Sequence, residues 1–343
     1  MTLPLPITYA AAEAESVAEI PTGPEWWYEP KWDGFRCLAF RDGAEVDLRS
    51  KAGKPLGRYF PDVVKALLSL GASRFVLDGE IVVPVDGHLS FDELQLRLHP
   101  AASRVNKLAA AHPATFLVFD LLLGPRGNPL IERPLVERRQ KLEELAARYL
   151  DGSERIRLSP RTSDARQAAE WVKAGGGLDG VIAKRADLGY QSGERTGMVK
   201  IKNLRTAECV VGGFRYATKG GGLGSLLLGL YDEAGLLHHV GYCSALDAEQ
   251  KRETLPRLEA LRRAPGFTGS APGAPSRWTG GRATEWEPLV PELVVEVQYD
   301  HFTGGRFRHG TAFLRWRPDK EPRQCRMEQV AKESRSSMRL LEG

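Results

Sequence analysis

Apolar residues recur along this 343-residue chain in two rhythms. Short runs rich in β-branched and aromatic residues, "FVLDGEIVV" at 75–83 and "TFLVFDLLL" at 115–123, predict strands. The stretch "PLVERRQKLEELAARYL" at 134–150 sets Leu135, Leu142, Leu145, Ala146 and Leu150 at helical spacing, and Pro134 suits a first helical turn. Residues 164–185 read as a helix stopped by three glycines and followed by a strand. Helices mixed with short strands predict an α+β domain built on antiparallel sheets.

Beyond "MVKIKNLRTAE" (198–208) the pattern changes. Residues 209–243 read as strand, glycine turn, strand, Glu-Ala-Gly turn, strand. A helical stretch at 247–263 follows, then a Gly/Pro/Ser/Thr-rich connector at 264–284 and a strand in "ELVVEVQYD" (292–300). Several short strands with one helix between them predict a small β-barrel of the OB-fold kind. The expected organisation is a first domain at 1–204 and a second at 205–343 that carries the C-terminal tail. A hinge is expected from Asn203 to Thr206.

Composition narrows the class without naming a function. Hydrophobic residues make up 42% and charged residues 27%, which excludes a disordered chain. No apolar stretch approaches the roughly 18 residues that span a bilayer, and the N-terminus lacks a basic region before an apolar core, so a cytoplasmic protein is expected. Cys37, Cys209, Cys243 and Cys325 form no C-x-x-C pair, which argues for reduced buried thiols rather than a zinc ribbon. A net charge of +4 is compatible with a nucleic-acid partner and does not require one.

Candidate chemistry begins at "PEWWYEPKWDGFRCLAF" (24–40), where Lys31 lies inside a strand-like run, two residues before Asp33 and a glycine. Alone, such a lysine reads as a solvated surface charge. In "VKIK" (199–202), alternation puts Lys200 and Lys202 on one face. Either this is an edge strand with a charged solvent face, or the two cations enclose an anion such as phosphate and depress the pKa of a neighbouring amine. Glu80 in "LDGE", Phe119 before Asp120, and Asp179 in "LDGVIAKR" each have an ordinary structural explanation. Together they supply what nucleotide activation needs: an aromatic face for a base, carboxylates for ribose and a divalent metal, and cations for phosphates.

In sequence order, "EPKWDGFR", "LRSKAGKPLGRYFP", "FVLDGEIVV", "FLVFDLL", "LDGVIAKR", "VKIKN" and "RWRPDK" resemble the nucleotidyltransferase motifs of ATP-dependent DNA ligases. The resemblance runs from about residue 24 to 320 and is to the short bacterial type, such as ligase C and the ligase domain of ligase D. It implies a nucleotidyltransferase (adenylation) domain followed by an OB-fold, with ATP as AMP donor and Mg²⁺ or Mn²⁺ as cofactor. It also implies a monomer acting on nicked double-stranded DNA, with no membrane partner and a repair role.

Carried over residue by residue, the resemblance makes Lys31 the nucleophile that takes AMP from ATP. Glu29 contacts adenine through its backbone, Phe119 stacks on the ring, and Arg36 and Glu80 lie at the ribose. Arg49 meets the nick's 5′-phosphate, and Lys200 and Lys202 flank the α-phosphate. Asp179, where the family usually has glutamate, ligates the metal together with Glu80. Arg317, Asp319 and Lys320 match the last motif and orient pyrophosphate.

Three other readings compete with it: an RNA ligase, a capping guanylyltransferase, and a non-catalytic nucleic-acid-binding module. The intact lysine with all its phosphate-facing cations argues against the last. Arg97, His99, Arg104 and Lys107 form a further basic run, read either as a solvated helix face or as a DNA-backbone contact.

Overall fold

The computed structural model describes residues 1–174, 178–218, 220–273, 285–330 and 337–341. The three glycines at 175–177 and the 274–284 part of the expected connector lie outside the described residues. The chain divides into two compact units, Met1–Asn203 with Glu333–Gly343, and Leu204–Lys332.

The first unit contains two main sheets. One has five strands in the order Glu45–Ser50, Phe35–Asp42, Arg74–Val82, Thr115–Leu123, Ile156–Leu158, antiparallel except for the last pair. All nine residues of Thr115–Leu123 are buried, Asp120 with its carboxylate held by Arg138 at 2.9 Å, and so largely apolar a run suits an inner strand covered on both faces. Val63 and Leu67 from helix Pro61–Ser69, and Leu142 and Leu145 from helix Leu135–Tyr149, share a core with Phe75, Leu77 and Phe116 of this sheet. Each such side chain removed from water contributes roughly 1.5–3 kcal/mol. Pro134 sits at the N-cap, one position before the first turn.

The second sheet orders Glu15–Ser16, Met198–Lys202, Leu178–Arg185 and Trp26–Trp32. Its rear core gathers Tyr28, Trp32, Trp171, Leu178, Val181 and Ile201. Leu340 and Leu341, from the turn Ser337–Leu341, pack against that core, and Arg157 donates to the Leu341 carbonyl. This corrects the expected second domain of 205–343: the tail returns to the first unit, where two adjacent leucines find apolar cover.

In the second unit, strand Arg205–Tyr216 pairs with both Leu223–Tyr231 and Val294–Tyr299. Leu237–Ala245 and Thr311–Trp316 complete the circuit, so five strands close into a ring as an OB-fold requires. Phe214, Leu226, Leu228, Val240, Val295 and Val297 share its core. Helix Ala248–Ala260 opens with a capping box between Asp247 and Gln250, which satisfies two otherwise orphaned amides.

The segment 90–113 forms helices Phe91–Leu96 and Ala102–Ala111. Arg97 is only 1% exposed. It donates to Asp62 at 2.5 Å and to the Tyr59 carbonyl at 3.1 Å, with its guanidinium 5.1 Å from the Phe60 ring centroid. This corrects the reading of Arg97 as a DNA contact, because burial and its carboxylate partner make it a core ion pair. Arg104 and Lys107 remain exposed.

Candidate active site

Strand Trp26–Trp32 sends Tyr28 and Trp32 into the rear core, and the Trp32 indole anchors the strand by donating to Ser159 Oγ at 2.8 Å. Lys31 reaches a cleft and lies opposite Gly180 of the neighbouring strand. Gly180 lies opposite Lys202 of the next strand. Only glycine fits there: φ is +133°, and an added Cβ would lie 1.9 Å from the Ile201 carbonyl oxygen. The cross-strand row therefore runs lysine, gap, lysine.

A register shift between Leu178 and Gly180 takes Asp179 out of the ladder, as bulges do beside active sites. Its carboxylate accepts a hydrogen bond from Lys31 Nζ at 2.6 Å. The Asn203 amide, at the expected hinge, donates to the Asp179 carbonyl at 2.9 Å.

The cleft has a volume of about 250 Å³. It brings together six of the expected residues: Glu29, Lys31, Arg36, Glu80, Phe119 and Lys200. Arg36 and Glu80 are cross-strand partners, so their side chains share one face. Gly34 permits this approach, because a Cβ there would sit 2.3 Å from the Ile81 carbonyl oxygen. The Arg36 guanidinium lies 4.6 Å from the Phe119 ring centroid and is gripped by both oxygens of buried Asp78, at 2.5 and 2.6 Å. Lys184 Nζ lies 4.3 Å from the same ring centroid and pairs with Glu29 at 2.7 Å. Arg139 lies 3.9 Å from the Glu29 carboxylate, which is thus engaged in interior ion pairs.

Charge is crowded here. Burial pushes the Glu80 carboxyl up to about 8; Arg36 and Lys31 oppose that rise, and Asp179 and Asp33 add to it. Lys200 is shifted downward, first by desolvation and then by the like charges of Lys51, Lys31, Lys202 and Arg195. It is thus Lys200 that feels the cationic field expected from "VKIK".

Other expected residues lie elsewhere. Arg49 does not line the cleft; Asp47 holds its guanidinium in two hydrogen bonds of 2.6 and 2.7 Å. Lys51, two residues on, lines the cleft instead. Lys202 is exposed at the strand end. Arg317, Asp319 and Lys320 belong to the second unit, where their partners are local. Arg317 donates to Asp319 at 2.9 and 2.7 Å and pairs with Glu208, and Lys320 meets Glu208 at 2.7 Å. Those bonds from Arg317 hold the Asp319 carboxyl down to about 2.

Lys51, Lys184, Arg139 and the Ala12–Ala14 wall escaped the sequence reading. Lys184 had a usable signal, being two residues from Ile182 in a strand whose alternate positions face the cleft. Glu13 had none: it pairs with Lys51 at 3.1 Å and Arg195 at 3.2 Å, far along the chain.

Comparison with known proteins adds family and fold. The family model "ATP dependent DNA ligase domain" matches residues 9–202, and "ATP dependent DNA ligase C terminal region" matches 219–320. DNA ligase C2 of Mycolicibacterium smegmatis is 45% identical over 355 residues, covering 98% of each chain. The multifunctional non-homologous end joining protein LigD of Mycobacterium bovis is 34% identical over 308 residues, 87% of this chain and 37% of that one. A solved Lig E DNA ligase matches with a TM-score of 0.56 at 16% identity, covering 90% of this chain and 99% of that chain, a likeness of fold alone.

Proposed function

The chain belongs to the ATP-dependent DNA ligases, and from that premise we propose that it seals 5′-phosphate/3′-hydroxyl nicks in duplex DNA by three transfers centred on Lys31. The observation that carries the residue assignment is the Lys31–Asp179 contact of 2.6 Å inside a cleft that also holds Phe119, Arg36 and Lys200. An ammonium cannot attack phosphorus, and Asp179 is the carboxylate placed to accept its proton. The freed amine forms an N–P bond to the α-phosphate of ATP while the bond to the β-phosphate breaks and pyrophosphate leaves. Lys200 and Lys202 balance the charge that gathers on the α-phosphoryl oxygens. Phe119 offers the ring on which adenine stacks, with Arg36 at the ribose. AMP then passes to the 5′-phosphate oxygen of the nick, breaking the N–P bond, and the 3′-hydroxyl displaces AMP to close the strand.

The residues present fit a divalent cation. The Glu80 carboxylate lines the cleft beside Lys31, whose ammonium meets the Asp179 carboxylate at 2.6 Å, and carboxylate oxygens of that kind suit Mg²⁺ or Mn²⁺. Glu80 and Asp179 would hold it, and the bound ion would supply positive charge at the phosphates. We assign the nick's 5′-phosphate to Lys51 rather than Arg49, since Lys51 lines the cleft. Arg317 and Lys320 orient the departing pyrophosphate. The end-joining relative supports a role in repair. On this reading the protein acts as a cytoplasmic monomer on nicked DNA.

Incubation with α-labelled ATP and Mg²⁺ should place one AMP on Lys31. Lys31→Ala should abolish labelling, a loss of at least ~10³-fold, yet still close a nick supplied already adenylated. Label on another residue of the wild-type chain would refute the assignment.

A further inference from the structure

Tyr190 belongs to none of the motifs above, yet its buried hydroxyl lies behind the cleft and bonds to two segments that reach it. It donates to Asp78 Oδ2 at 2.6 Å and accepts from the Ala12 amide at 2.9 Å. The direction is forced, because an ionised carboxylate only accepts hydrogen bonds and a backbone amide only donates them. Burial raises the Tyr190 pKa well above its ordinary value, so the proton stays on the phenol.

Both ends of this relay reach the nucleotide cleft. Asp78 is completely buried, and its two oxygens grip the Arg36 guanidinium that faces the Phe119 ring. On the other side, Ala12, Glu13 and Ala14 form part of the cleft wall. That wall is laced to the segment following Tyr190: Gly193 N–H donates to Ala11 O at 3.3 Å, Glu13 N–H to Glu194 O at 2.8 Å, and Ser192 Oγ to Ala10 O at 2.8 Å. These bonds hold the N-terminal segment to the segment after Tyr190. Among the described residues, the Tyr190 hydroxyl bonds both to this segment, at Ala12, and to Asp78 on the Arg36 side.

We propose that Tyr190 is a positioning residue for ATP: its hydroxyl locks the Ala12–Ala14 wall to the Asp78–Arg36 pair, so that wall, guanidinium and Phe119 face are set before the nucleotide enters. This rests on the nucleotide-transfer reading of the cleft. Pre-setting a site lowers the ordering cost of binding, so losing the lock weakens ATP capture rather than the chemical step. A nick already carrying AMP has no free ATP to capture and should be indifferent to it.

Tyr190→Phe keeps the ring and deletes only the relay. Labelling by α-labelled ATP should need about tenfold more ATP for half-maximal rate, a shift worth about 1.4 kcal/mol. Its maximal rate and the sealing of a pre-adenylated nick should stay within about twofold of wild type. Asp78→Ala removes the acceptor, a second way to cut the relay, and should also raise the ATP requirement. In that background Tyr190→Phe should add less than about twofold, because coupled residues are not additive. An unchanged ATP requirement in Tyr190→Phe, full additivity with Asp78→Ala, or equal losses in labelling and pre-adenylated sealing would each overturn the proposal. Failure of the wild-type chain to label would instead count against the nucleotide-transfer reading, so the two failures are distinguishable.

Discussion

The cations of the first unit and those of the second are held differently. In the cleft, Lys31 and Lys51 pair with Asp179 and Glu13, while Lys200 beside them is shifted downward, first by burial and then by the charges of its neighbours. In the second unit, Arg317 and Lys320 are satisfied by Asp319 and Glu208 on the same unit. A crowded set of like charges favours any polyanion that enters, whereas a set neutralised at home must exchange its carboxylates for the ligand's oxygens. On the proposed function, this difference would suit the cleft to holding phosphate, and Arg317 and Lys320 to a single step from which they return to their own acids.

Breaking the cleft side should have the largest effect. Lys200→Ala removes the cation proposed to meet the α-phosphate and should slow self-adenylation by about 10²–10³-fold, measured as single-turnover labelling. A loss below about fivefold would mean that the crowding serves no anion. Next in size is the choice between two neighbours. Lys51→Ala should weaken nick binding by about tenfold and flatten the slope of log K against log salt by about one, while Arg49→Ala stays within about twofold. Equal effects would restore Arg49 as a phosphate contact. The smallest effect sharpens the second side. Glu208→Gln loosens Arg317 and Lys320 from their shared acid and should tighten inhibition of labelling by pyrophosphate by about threefold, in keeping with the small worth of partly exposed ion pairs. Weaker inhibition would mean that Glu208 positions these cations rather than restraining them.

Much of the first unit was legible because its signals are local. The largely apolar run at 115–123 is a strand over the same nine residues, and the spacing at 134–150 is a helix over Leu135–Tyr149. Lys31, Glu80, Phe119 and Lys200 could be proposed together because ordered motifs recorded them, and the structure places them in one cleft. Arg97 was misread because nothing in its own helix shows Asp62 waiting on another. A basic run looks solvated until long-range packing supplies a buried acid.

Arg49 and Lys51 show the limit within a single motif. Period-two alternation puts both on one face, but the strand ends at Ser50 and the chain turns, so Lys51 enters the cleft while Arg49 stays on Asp47. The sequence by itself determined the family, the order of elements and the lysine proposed as the reactive amine, because each is written in spacings of a few residues. Only the tertiary structure decided which carboxylate meets Lys31, since a bulge opposite another strand aims Asp179 there. It likewise decided that Ala12–Ala14 walls the cleft, that Tyr190 joins this wall to Arg36, and that Leu340 and Leu341 return to the first unit. Those contacts join residues more than a hundred positions apart, where pairing and burial act between segments and leave no periodic trace in either one.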